Sequence, residues 1–297
     1  MNDLGIYRSP QIIHLKIAEF NFKITTPLKI VIDEIQKLYC DFIDPTKSGD
    51  ASFLVDFDIK IDRPANLRRW IKPQVCFSLN NKMPFKPLPL NHAFAMLEWG
   101  MNWCIANHAH HYLMFHSAVI EKNGKAIILP APQGSGKSTL TAAMVYNGWR
   151  LLSDEIAMVS LKDSLIYPIS RPISLKNESI EVIKEFIPNA KMSRPAYDTH
   201  KGTVSLIKPP SDSVKRNNEP CAPAYIVFPK FEKNSKSTLT IKSKGSAFIE
   251  LADNSFNYHV LGIEGFNATA DIIENVECYS FVYSKFSEAI STFEELV

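Results

Sequence analysis

Gly134, Gly136, Lys137 and Ser138 close the stretch Ala131-Pro-Gln-Gly-Ser-Gly-Lys-Ser138, and that order of residue types suits the binding of phosphate. Glycines let successive backbone N–H groups curl around phosphate oxygens, a lysine reaches the terminal phosphates, and a serine hydroxyl reaches Mg²⁺. The ligand this implies is a nucleoside triphosphate with magnesium. The full form of the pattern has a further glycine where this chain has Ala131.

Two acids, Asp154 and Glu155, follow 17 and 18 residues after Lys137. Phosphoryl transfer needs a carboxylate on Mg²⁺, and transfer to a hydroxyl also gains from a base that takes the hydroxyl proton. Adjacent acids on a continuous strand point to opposite faces, so both reach one ligand only where the strand ends. Otherwise Glu155 is an ordinary strand-end charge. His116, 21 residues before Lys137, ends the run Tyr112-Leu-Met-Phe-His116. It is either a core or surface histidine or a third member of the site.

The elements around these residues fit a phosphate site. Lys125–Pro130 is a short apolar run suited to a buried strand, and Thr139–Tyr146 has helical composition up to the stop at Asn147-Gly148. Strand, glycine-rich turn and helix then occur in the order that sets an anion at a helix N-terminus. Ser117–Lys122 and Lys125–Pro130 flank Asn123-Gly124, a strong hairpin signal. Trp149–Ser160 reads as one strand with the two acids near its middle, followed by a helix near Ile180–Ile187. The polar stretch 193–223 reads as loop and as a mobile flap over the site. Tyr225–Phe228 and Ser237–Lys242 read as strands, and the segment after Ser284 as a closing helix.

Upstream, residues 1–85 read as a small α+β unit. Ile13, Leu15 and Ile17, then Phe20, Phe22 and Ile24, alternate as two half-buried strands, and Pro27 opens a helix running to Leu38. Phe53, Val55, Phe57, Ile59 and Ile61 alternate as a further strand. Residues 86–91 lie in a proline-rich stretch that reads as a linker, and 92–297 forms the main domain, beginning with a helix from about His92 to Ala109.

Composition excludes several classes. A chain of 297 residues, 45% hydrophobic and 22% charged, can bury a self-sufficient core. A net charge of +2, with basic residues spread along the chain, argues against nucleic acid as a partner. Five scattered cysteines, Cys40, Cys76, Cys104, Cys221 and Cys278, suit reduced thiols. The first residues lack the form of a signal peptide, and no apolar run approaches the ~20 residues of a membrane span. The expectation is a cytoplasmic protein with no membrane partner.

A histidine, a hairpin, the glycine-rich loop, a helix, a glycine and an acidic pair, carried by His116, Lys137, Ser138, Gly148, Arg150, Asp154 and Glu155, resemble the bacterial HPr kinase/phosphorylase family. The chain is more closely similar to the HprK-related kinase A group, through LEWGMNWCIA (97–106), PAPQGSGKSTL (130–140), GWRLLSDE (148–155), RPISLKN (171–177), KGTV (201–204), VFP (227–229) and FNY (256–258). The resemblance covers about 90 to the end of the chain. It implies an α/β fold with a P-loop kinase core of the phosphoenolpyruvate-carboxykinase/HPr-kinase type, and transfer of the γ-phosphate of ATP to a serine-type hydroxyl. It further implies Asp154 as catalytic base, Glu155 with Ser138 as ligands of Mg²⁺, and His116 and Lys137 at the phosphates. The binding segment is Gly134, Ser135, Gly136, Lys137, Ser138 and Thr139.

Two departures stand out. The family has two aspartates where this chain has Asp154-Glu155. A segment of the form EIRGLGI is absent, with RPISLKN in its place, which offers Arg171 and Lys176 as charge stabilisers and argues against HPr as acceptor and against reversal by phosphate. Relatives of this type occur beside PqqD-like peptide-binding proteins, so the expected acceptor is a peptide or small protein, and homo-oligomers stay open. The rival reading is a nucleotide-binding regulatory or scaffold protein without transferase activity.

Overall fold

The structure is a computed structural model that describes residues 6–43, 54–132 and 134–297. It is a mixed α/β protein. The N-terminal part comprises β1 (Ile6–Ile17), β2 (Phe20–Leu28), α1 (Lys29–Leu38), β3 (Phe57–Asp62), β4 (Gln74–Leu79) and β5 (Leu88–Pro89), with the strands forming one sheet in the order β1-β2-β3-β4-β5. The first two strands pair antiparallel with Leu15 opposite Phe22 and Ile17 opposite Phe20, so the alternation seen in the sequence buries one face. The third expected strand begins only at Phe57. Val55 is exposed before it, and Phe53 lies outside the described residues.

The proline-rich stretch does not separate two bodies. Leu88 and Pro89 pair with Val75 and Gln74, and Leu90 is buried. Next comes α2 (Ala93–His108), whose buried Phe94, Leu97, Met101 and Ile105 share one core with Phe22, Ile59 and Phe77 of the sheet. The same core takes in Met114, Ile156 and Ile169 from farther along the chain. Helix and sheet approach so closely at Gly100 that a Cβ there would lie 2.0 Å from the Phe77 ring.

The main part continues with β6 (Tyr112–Phe115), β7 (Ser117–Lys122), β8 (Lys125–Pro130), α3 (Lys137–Val145), β9 (Arg150–Ser153), β10 (Ala157–Ser160), β11 (Ile166–Tyr167), β12 (Ile173–Lys176) and α4 (Glu178–Phe186). It ends with β13 (Ala196–Thr199), β14 (Gly202–Ile207), α5 (Ser211–Lys215), β15 (Pro223–Phe231), β16 (Thr238–Ile241), α6 (Lys244–Asp253), α7 (Tyr258–Leu261), α8 (Ile263–Asn275), β17 (Glu277–Tyr283) and α9 (Phe286–Glu294). Six strands form the sheet β16-β17-β15-β8-β7-β9. The hairpin at Asn123-Gly124 is present, with both residues at positive φ. β8 therefore runs antiparallel to β7 on one side and parallel to β15 on the other.

One face of this sheet, with Ala118, Ile120, Ile127 and Leu129, packs on α3 and α9. Val119, Ala126 and Ile128 on the other face pack on α6 and α8. Trp149–Ser160 is two strands rather than one. β9 pairs with β7 in the large sheet, and β10 pairs with β6 in a separate three-stranded sheet, β11-β10-β6. Residues 193–223 are likewise more ordered than their polarity suggests: β14 pairs with β12 on one side and with β13 on the other, and α5 follows. Among the described residues no helix is long and apolar enough to cross a membrane.

Gly100→Ala tests the shared core. The added methyl must displace the Phe77 ring, and overpacking of this kind costs typically ~1–3 kcal/mol. The urea midpoint of unfolding should fall by a corresponding amount; an unchanged midpoint would mean that α2 and the sheet do not pack as described.

Candidate functional site

The chain passes twice between the small sheet and the large one, at the same corner. On the way out it crosses at His116, between β6 and β7; on the way back it crosses at Asp154-Glu155, between β9 and β10. Because β6 pairs with β10 and β7 with β9, the two crossings lie side by side. A strand must break to change sheets. That break frees the acids from strand alternation, and it brings Glu155 and His116 to one cavity.

The glycine-rich loop enters this corner from β8. Gly134 and Gly136 have φ of 84° and 87°, a left-handed backbone that favours glycine. A Cβ on Gly136 would also meet the Tyr283 hydroxyl at 2.6 Å and Phe231 Cβ at 2.8 Å. Those two residues brace the loop: the Phe231 N–H donates to the Ser135 carbonyl at 2.8 Å, and the Tyr283 hydroxyl donates to the Gly136 carbonyl at 3.0 Å. α3 then begins at Lys137, so the loop sits on a helix N-terminus, where free N–H groups and the helix dipole favour an anion.

A cavity of about 160 Å³ opens over the loop. Gly134, Ser135, Gly136, Lys137, Ser138 and Thr139 line it, opposed by His116, Glu155, Ser174 and Lys176. Lys137 is buried, and among the described residues its Nζ has no hydrogen-bond partner. Burial pulls its pKa down, against the pull of Asp154 and Glu155. A buried cation without a partner is costly, and a bound polyanion would satisfy it. The residues therefore fit a triphosphate. Ser138 and Glu155 share the cavity and offer two hard oxygen ligands, as suits Mg²⁺ held jointly with phosphate oxygens.

The two acids differ. Burial pushes the Asp154 carboxyl up to about 6, outweighing Lys137 nearby. Its Oδ2 accepts from the Ser174 N–H at 3.0 Å, and the Ser138 hydroxyl, donating to the same carboxylate, works with Ser174 to favour its charged form. Asp154 lines a small void of about 30 Å³ that shares Glu155 and Ser174 with the loop cavity. Glu155 lines that void, the loop cavity and a third, larger cavity. Burial pushes its carboxyl up too, but Lys201, Lys176 and Lys137 outweigh this and hold it below the usual range. His116 shares the loop cavity and the larger one; burial and then Lys137 lower it to about 4, so it is neutral at pH 7.

Arg171, expected at the phosphates, is elsewhere. It is buried, pairs with Glu98 at 2.5 Å, and donates to the Tyr39 hydroxyl at 3.2 Å and to Asn102 Oδ1 at 2.5 Å. Asn102 in turn donates to Glu155 at 2.5 Å. Arg171 thus acts on the corner through Asn102, because Glu98 and Tyr39 already hold its guanidinium. Lys176 does line the loop cavity. Sequence reasoning missed Asn102 and Lys201, which lie inside the segments 97–106 and 201–204, and the braces Phe231 and Tyr283, which carry no local signal.

No protein-family model and no curated protein matches the chain. Among solved structures, it is similar to one described as the HPr(Ser) kinase/phosphatase from Coxiella burnetii, at 9% identity and a TM-score of 0.26. The likeness covers 62% of this chain and 96% of that one. At that TM-score it carries no weight for function, which rests on the geometry above.

Removing Arg171 alone should be expensive. Breaking a buried pair leaves an uncompensated charge and costs about 3–5 kcal/mol, whereas replacing both partners by neutral groups is often close to neutral. Chemical denaturation should show a large loss for Arg171→Met and substantial recovery in Arg171→Met with Glu98→Gln. Additive losses would mean that the pair is not coupled as described.

Proposed function

We propose that this protein is an ATP-dependent phosphotransferase, with a P-loop core of the phosphoenolpyruvate-carboxykinase/HPr-kinase type, acting on a hydroxyl. The observation that carries the reading is Lys137 Nζ, without a partner among the described residues and buried at the foot of a glycine-rich loop whose cavity also holds Ser138, Lys176, His116 and Glu155. In this reading the loop N–H groups, Lys137 and Lys176 hold the phosphates of ATP, and neutral His116 donates a ring N–H to a phosphate oxygen. Ser138 and Glu155 would hold Mg²⁺, which when bound neutralises phosphate charge.

The hydroxyl proton has two possible destinations, each favoured by one observation. A carboxyl near 6 gives Asp154 the basicity of a general base at neutral pH. Position favours Glu155, the acid that lines both the loop cavity and the larger one beside it. With Asp154 as base, the rate rises as pH passes through about 6 and Asp154→Asn loses roughly 10²–10⁴-fold of transfer while keeping ATP affinity. Glu155→Gln then mainly raises the Mg²⁺ requirement. With Glu155 as base the two phenotypes exchange, and the rise near pH 6 is absent.

Stability separates loss of chemistry from loss of fold. Between the ordinary aspartate value and about 6, the folded protein holds a proton on Asp154 that the unfolded chain has released. Stability therefore falls as pH rises through that window. Asp154→Asn removes the cost of ionising this buried acid and should stabilise the protein at pH 7, by on the order of 3 kcal/mol.

Lys137→Ala tests the nucleotide site itself. A lost charge-assisted contact should weaken MgATP binding by roughly 10- to 100-fold in calorimetry. Equal affinity in the variant would remove the phosphate-loop reading. Incubating the protein with labelled ATP and a lysate of its host tests transfer. An acid-stable phosphate on a discrete acceptor supports the kinase, and ATP binding without any labelled acceptor supports a nucleotide-binding regulator.

A further inference from the structure

Beside the loop cavity lies a larger one of about 840 Å³, and the two share His116 and Glu155 as a common wall. Its other walls are largely apolar: Trp99 and Trp103 from α2, Phe85 from the segment before β5, and Phe256 from the loop before α7. Phe85 and Trp103 meet edge-on at 5.4 Å, and the His116 ring meets Phe256 edge-on at 5.7 Å. The phosphates of a nucleotide bound at the loop would make no use of these aromatic rings, and displacement of a probe from them by MgATP would place the base there instead of an acceptor.

We propose that this cavity is the acceptor site, and that the acceptor is a small apolar alcohol whose hydroxyl lies at the Glu155–His116 wall. The inference rests on the phosphotransferase reading above. The volume falls within the range of small-molecule pockets, which are mainly apolar and aromatic with a few convergent polar groups. Lys86, Asn102, Asn107, His200 and Lys201 also line the cavity, but most of its exposed wall is apolar. A polypeptide segment threaded into it would therefore bury many peptide N–H and C=O groups against indole and phenyl rings, each unpaired group at a desolvation cost. A serine presented on a folded protein surface would leave the same apolar volume full of water. The occupant therefore differs from the peptide or PqqD-bound acceptor expected from the resemblance. In the transfer, the alcohol oxygen forms a bond to the γ-phosphorus as the bond from that phosphorus to the bridging oxygen breaks. ADP leaves with that electron pair, and the hydroxyl proton passes to a carboxylate of the acidic pair.

Ala106 lines the large cavity but not the loop cavity, so Ala106→Trp fills one and spares the other. Two probes are used: 1-anilinonaphthalene-8-sulfonate for binding, and primary alcohols from benzyl alcohol to long-chain alkanols for transfer. The fluorescent probe should bind the wild-type protein saturably without nucleotide, with energy transfer from tryptophan. Ala106→Trp should weaken that binding by about tenfold or more while MgATP binding is unchanged. With MgATP, mass spectrometry should find an acid-stable phosphomonoester on one or more of the alcohols, lost in Ala106→Trp. Probe binding that Ala106→Trp leaves unchanged overturns the proposal, as does phosphorylation of a hydrophilic serine peptide with every alcohol untouched. Saturable, Ala106→Trp-sensitive probe binding in a protein that binds no MgATP would uphold an apolar ligand site and remove the phosphotransferase reading instead.

Discussion

The buried guanidinium of Arg171 is the constraint on which the corner depends. A charge removed from water must be met on all sides, and Arg171 meets Glu98, Tyr39 and Asn102 at once. These partners come from different places: Tyr39 just after α1 in the N-terminal part, Glu98 and Asn102 on α2. One side chain between β11 and β12 thus ties the N-terminal sheet, the long helix and the main part together. Asn102 extends the chain of contacts to Glu155, using its carbonyl toward Arg171 and its amide toward the carboxylate. Both ends of the amide are committed, so its orientation is determined by its partners.

This arrangement gives the N-terminal residues a structural reason to exist. Their sheet buries its face against α2, and the opposite side of α2 presents Trp99, Asn102 and Trp103 to the cavities around Glu155. The void behind Asp154 is enclosed by Glu98, Arg171 and Leu206 as well as by the acids themselves. The electrostatics of the acidic pair, with one carboxyl raised and one lowered, follow from this packing. Asp154 faces a small enclosed space, while Glu155 faces three lysines.

Much of the fold was legible because local signals were strong. The Asn123-Gly124 hairpin, the strand–loop–helix around Lys137 and the alternation at Leu15 and Phe22 are each short-range patterns with one physical solution. The loop residues themselves were readable for the same reason: glycines at positive φ leave few alternatives. What was not legible depends on distant contacts. Trp149–Ser160 has the composition of one strand, and only its partners β7 and β6, in different sheets, break it at Asp154. Residues 193–223 look polar enough for a loop, yet the edge of β12 offers hydrogen bonds to β14, and β14 in turn to β13, and these make both strands. Arg171 opens the segment RPISLKN that also holds Lys176, but Glu98 lies 73 residues away and was not readable as its partner.

The same corner also explains how one short chain segment can serve two neighbouring spaces. A residue inside a strand is assigned to one face by the pleat, whereas a residue at a crossing between sheets is not. His116 and Glu155 occupy such crossings and therefore front the loop cavity and the aromatic cavity together. Asp154, one residue earlier, still follows the end of β9 and turns inward, where burial raises its carboxyl and Ser174 holds one oxygen. The contrast between the surroundings of the two acids therefore follows from where the strand ends, and a change that lengthened β9 by one residue would alter it without touching either carboxylate.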